Sequence, residues 1–186
     1  MRGSILELTT ISQDFRFEVV GGVLGALDIW NIAIVPSLLT NCSVWTEMSE
    51  ALIKLCEEQQ NMLVRSLLKM PGLTPIPALR ALTGLLGFQW RIWQEKLLLV
   101  VAIRKAEGTL TKLVLEEQLT MGWPGLCQEV TKICDTIGLP DVCQEDVDKS
   151  EVREAVFWHH YKVLKEEMEP LKKLQQLSER GPQEAS

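Results

Sequence analysis

Cys127, Cys134, Cys143, His159 and His160 are the residues of this 186-residue chain whose types could hold a zinc ion. A structural zinc site usually draws on ligands two to four residues apart, because that spacing presets half of the tetrahedron. Cys127 and Cys134 stand two helical turns apart, about 10 Å along a helix axis, so a straight helix cannot offer both to one ion. With Cys42 and Cys56 the cysteines number five and form no CxxC pair, which reads as free thiols in a reducing, intracellular compartment, cytoplasmic or nuclear. A cysteine nucleophile with a histidine base is the next possibility, but neither type lies in a glycine-rich or strand-turn-helix setting. His159 and His160 are adjacent on a helix and point about 100° apart, so one should face the core and the other water. His159 shares a face with Val152, Val156 and Val163. Small buried thiols are the expected state, with no metal and no cofactor.

Carboxylates and cations complete the reactive side chains. Glu57–Glu58, Glu116–Glu117 and Glu166–Glu167 are helical neighbours that diverge, as solvated faces do. Asp146 and Asp148 lie in an acidic loop that lacks the further oxygens and the glycine turn of a calcium site. No phosphate-binding loop or dinucleotide fingerprint is present. Arg80, Arg91, Lys96, Arg104 and Lys105 lie near Trp90 and Trp93, a mixture that can meet phosphates and stack on bases. The competing reading is a core helix with ordinary surface charges. Lys96 and Arg104 leave that helix in other directions than Arg91 and Lys105, and both tryptophans fall on an apolar face. Arg91 and Lys105 share the narrow polar arc and Arg80 lies just upstream, so Arg80, Arg91 and Lys105 are the candidate nucleic-acid contacts.

The elements that must position these groups are helical. Convincing strands are absent after Gly21–Gly22, and the pattern predicts an all-α domain: an irregular bundle of about six or seven helices with a long last helix. Residues 1–18 read as a poorly patterned lead-in, 19–169 as the domain and 170–186 as a tail, with Pro170 ending or kinking the last helix. Leu52, Leu55, Cys56, Met62 and Leu63 mark one buried stripe. Phe88 to Lys105 is apolar on two sides, with Phe88, Ile92, Leu99 and Ile103 against Trp90, Trp93, Leu97, Val100 and Val101, as a central helix must be. Leu110, Leu113, Val114 and Met121 make the next helix amphipathic. Cys127, Val130, Cys134 and Ile137 are the buried side of the one after it.

Val19 to Leu39 is long and apolar enough to test as a membrane span. Asp28 and Asn31 sit in its middle and Pro36 interrupts it, so it reads as a buried core helix, and no membrane association is expected. A net charge of −6 opposes bulk coating of nucleic acid. The charge is uneven. Residues 71–113 hold six basic and two acidic side chains, and residues 114–149 hold two basic and eight acidic ones.

One ordered series of motifs resembles a known family. Ile76-Pro77-Ala78-Leu79-Arg80 through Gly84, Trp90-Arg91-Ile92-Trp93-Gln94-Glu95-Lys96-Leu97-Leu98, Gly108-Thr109-Leu110, Glu116-Glu117-Gln118, Gly122-Trp123-Pro124-Gly125-Leu126 and Ile137-Gly138-Leu139-Pro140-Asp141-Val142 follow one another as in the region after the polymerase core of non-LTR retrotransposon reverse transcriptases. Upstream, Ile34-Val35-Pro36-Ser37-Leu38-Leu39 and Glu57 to Arg65 are similar to the same family, so the resemblance spans roughly residues 20–168. Residues 1–18 do not match it. The resemblance implies a counterpart of the helical, thumb-side C-terminal region, which helps hold template and primer. Whole members are RNA-directed DNA polymerases that use palm aspartates, including an aromatic-x-Asp-Asp turn. This chain carries no adjacent aspartates, so an inert fragment with weak affinity for RNA or RNA–DNA hybrid is what the resemblance implies. The alternative is a helical protein-interaction module without a nucleic-acid role.

Overall fold

The computed structural model describes residues 22–40, 42, 49–122 and 124–179. The lead-in read over residues 1–18 lies outside them. Every regular element among the described residues is helical. The first is α1, Gly22–Ile29, which runs through a π-helical turn, Trp30–Ile34, into α2, Val35–Leu38. After it come α3, Glu50–Leu68, and α4, Ile76–Thr83. The second half holds α5, Phe88–Lys105; α6, Leu110–Met121; α7, Leu126–Ile137; and α8, Lys149–Glu179.

The helix ends follow local chemistry. Thr109 caps α6 by accepting from the Lys112 N–H. Gly84, Gly122 and Gly138 close their helices at φ of 66°, 64° and 72°, a left-handed turn that costs glycine nothing. At the start of α8 the Glu151 carboxylate reaches back to the Asp148 N–H at 3.2 Å, half of a capping box. Pro170 sits inside α8, which continues to Glu179. The sequence reading ended or kinked the helix there.

Two cores share the molecule. Leu27, Trp30, Val35, Val64, Leu79, Phe88 and Ile92 belong to the first; Leu97, Val100, Val101, Leu115, Val130, Cys134, Val152 and Val156 belong to the second. Helix α5 passes through both and packs on α3, α6, α7 and α8. Its two apolar sides therefore resolve largely as two ends, since Phe88 and Ile92 serve one core and Leu97 to Val101 the other. Ile103, grouped with Phe88 by the wheel, packs against the second core. Helix α8 straps the halves together by packing on α4, α5 and α7.

Tertiary packing shifted the buried face of one helix and overrode the sequence pattern in another. On α3 the expected stripe is half-buried at Leu52, Leu55, Cys56 and Leu63, with Cys56 and Leu63 against the first core, but Met62 is exposed and the most buried residues are Gln60, Asn61 and Val64. On α6 the stripe Leu110, Leu113, Val114 and Met121 faces solvent, with Leu110 76% exposed, and Leu115 is the residue that enters the core. Leu113→Ser is accordingly expected to change stability by less than about 0.5 kcal/mol in urea unfolding, where a buried stripe would cost several times more. No helix among the described residues is long and apolar enough to cross a membrane. Within the stretch tested as a span, Leu27, Trp30, Val35 and Leu39 are buried and Asp28 is exposed.

Candidate functional site

A polar hub lies where α5 begins. Phe88 is completely buried there, so the N–H groups of the first turn of α5 have little water to bond. Glu57 of α3 supplies the acceptor: its Oε1 receives the Phe88 N–H at 2.6 Å, and its Oε2 pairs with the Arg80 guanidinium of α4. A carboxylate at a helix N-terminus also meets the positive end of the helix dipole. Gly87 allows this approach, because a methyl group there would stand 2.8 Å from Glu57 Oε1. Gln60, one turn along α3, accepts from Trp30 Nε1 at 3.2 Å and donates to the Leu86 carbonyl at 3.1 Å. Arg91 donates to that same carbonyl at 3.2 Å and to Asn31 Oδ1 at 2.7 Å. Burial pulls the Arg91 guanidinium below its ordinary range, and the Glu57 charge partly offsets this. The Asn31 placed in mid-stretch by the sequence thus finds its partner on α5.

The other cations of α5 are also engaged within the chain, Lys96 in the core and Lys105 at the surface. Lys96, read as an ordinary surface charge, is 1% exposed and paired with Glu129 of α7. Arg104 donates to the carbonyls of Val142 at 3.1 Å and Gln144 at 3.2 Å, and to that of Glu145. Lys105 bonds Asp148 at 2.6 Å, which raises its own pKa and lowers that of Asp148. Lys96 and Lys105 of the basic stretch thus pair with Glu129 and Asp148 of the acidic stretch that follows it. Of the three candidate contacts, Arg80 and Arg91 meet at the hub. Lys105 lies fourteen residues further along α5, about 21 Å away, in its own acidic setting. They do not form one surface.

His160 is the buried histidine, in line with Val152, Val156 and Leu164 at four-residue steps, while His159 is half-buried. The sequence placed His159 on that apolar face. Trp90 packs beside both rings, 5.2 Å from His159 and 5.8 Å from His160, and meets Trp93 edge-on at 5.0 Å. Both tryptophans are half-buried at the margin of the second core. Nε2 of His160 has no hydrogen-bond partner among the described residues. Burial first, then the charges of Arg80 and Arg91, lower its pKa to about 4.

Cys42, Cys127, Cys134 and Cys143 are buried and Cys56 is half-buried. Burial raises the thiol pKa of each, that of Cys42 to about 11, which leaves little reactive thiolate. Among the described residues no three histidine, cysteine or acidic side chains are grouped to hold a metal ion.

The surface feature that the sequence reading missed is on α8. Phe157, Trp158 and Tyr161 are 45%, 60% and 50% exposed, and they pack on one another with centroids 5.6 to 6.5 Å apart. Exposed Arg153, Glu154, Lys162 and Lys165 surround them. Aromatic residues at steps of three and four were visible in the sequence. Their exposure follows from which α8 face packs on α4, α5 and α7. Compared with the models of known protein families, with curated proteins and with solved structures, the chain matches none.

Proposed function

We propose that this chain is a non-catalytic helical interaction module that works through the exposed face of α8. The observation that carries this reading is the placement of apolar area against charge. Three large rings stay at the surface on one helix, while Arg80, Arg91, Lys96, Arg104 and Lys105 are engaged by partners within the chain. Clustered exposed aromatics mark a contact surface. A cation already held by a carboxylate or by carbonyls has less to offer a phosphate.

The resemblance to the post-polymerase region of non-LTR reverse transcriptases supports a second reading, an inert remnant of such an enzyme that contacts template and primer. One observation favours it: Arg153, Lys162 and Lys165 stand beside the rings of α8, and such a mixture can hold a single strand. A net charge of −6 opposes it. Labelled single-stranded RNA and RNA–DNA hybrid, titrated with protein at low salt, are expected to show no saturable binding. Saturable binding that falls steeply with added salt would overturn the protein-interaction reading in favour of the second.

A further inference from the structure

We propose that the aromatic face of α8 pairs two copies of this chain, antiparallel, about a twofold axis near residue 160. The inference rests on the interaction reading above and names its partner. It starts from the order of side chains along the exposed face: Glu154, then Phe157, Trp158 and Tyr161, then Lys162 and Lys165. At 100° per residue these six lie on one side of the helix, opposite the buried line of Val152, Val156, His160 and Leu164. Turning a second helix end for end about the midpoint between residues 159 and 160 sets Glu154 opposite Lys165 of the second copy. The same operation sets Trp158 opposite Tyr161 of that copy and Phe157 opposite its Lys162. Each juxtaposition is favourable: an ion pair, an aromatic pair and a cation over a phenyl ring. By symmetry each occurs twice, as an isologous contact requires. A parallel arrangement in register would instead set Lys162 and Lys165 against themselves.

The rings favour this occupant over a nucleic-acid strand. Phe157 and Tyr161 are stacked within 15° of coplanar and Trp158 stands edge-on to both, so the trio forms one continuous apolar pad. Glu154 at the edge of that pad would repel a phosphate and attracts a lysine. From their fractional exposure the rings offer roughly 300 Å² per copy. The long flanking side chains extend that toward the ~800 Å² per partner of a standard interface. An interface of this modest size predicts reversible pairing in the micromolar range.

Sedimentation of the whole chain from about 1 to 200 μM tests the proposal. A rising weight-average mass that approaches twice 21.0 kDa is expected. Trp158→Ala should weaken pairing about tenfold or more. Glu154→Lys and Lys165→Glu should each weaken it, and the double exchange should restore it, which loss of folding could not mimic. A monomer at every concentration would overturn the proposal, as would a dimer indifferent to Trp158→Ala or single exchanges that the double variant fails to rescue. Fluorescent single-stranded RNA is added in a parallel series. A monomer that does not bind it overturns pairing alone, whereas a monomer whose RNA binding is lost in Trp158→Ala overturns both pairing and the protein-interaction reading.

Discussion

Glu57→Ala is expected to cost the fold about 3–5 kcal/mol, the largest loss predicted for a single polar side chain here. The substitution leaves the Phe88 N–H without its acceptor at the start of α5, next to a ring that is completely buried. It also leaves the Arg80 guanidinium, largely buried, without its carboxylate, and the Nε of Arg80 already lacks a partner among the described residues. Losing a partner while the other charge stays buried is costlier than the net worth of the pair. Glu57→Gln keeps an acceptor of the same shape and should cost less than half as much. Urea unfolding of the two variants beside the parent chain decides. Equal losses for Ala and Gln would show that volume, not the hydrogen bonds and charge, matters at this position. A loss below about 1 kcal/mol for Glu57→Ala would remove the hub from the account of stability.

Acid is expected to weaken the fold over a window set by His160. In the folded chain its pKa is lowered to about 4 by burial and by Arg80 and Arg91, so the ring stays neutral. The unfolded chain takes up a proton near the ordinary value of about 6.5. Between these two values the unfolded state holds more protons, so stability rises with pH. The contribution is fully present above about pH 6.5 and is lost as pH falls toward 4, a change on the order of 3 kcal/mol. Asp148 acts lower on the scale. Its hydrogen bond to Lys105 lowers its pKa, so its share is present above the ordinary aspartate value and lost as pH falls through the folded one. His160→Leu keeps the packing beside Trp90, removes a nitrogen that has no partner among the described residues and should flatten the slope between pH 6.5 and 4. A slope of the same size in His160→Leu would assign the acid sensitivity to other groups.

The sequence by itself determined the helical class, the central place of Phe88–Lys105 and the buried side of Leu126–Ile137. These follow from period and composition, since an apolar stripe or a helix apolar on two sides has few ways to leave water. Glycine and proline spacing also marked most of the breaks between helices. Only the tertiary structure decided which faces were used. On α6, Leu115 went inward and the richer apolar stripe stayed outside; on α8, His160 was buried and Phe157, Trp158 and Tyr161 were left exposed. A one-residue rotation costs nothing in helical period, so period alone could not choose. Charge shows the same division. The sequence placed six cations in residues 71–113, and Arg80, Arg91 and Lys105 read as a phosphate surface. Their partners Glu57, Asn31 and Asp148 lie 23, 60 and 43 residues away. Folding brought those partners into hydrogen-bond range, and a cation so held is part of the scaffold. The candidate surface moved to α8 because its outer face is where large rings remain in water once both cores are filled.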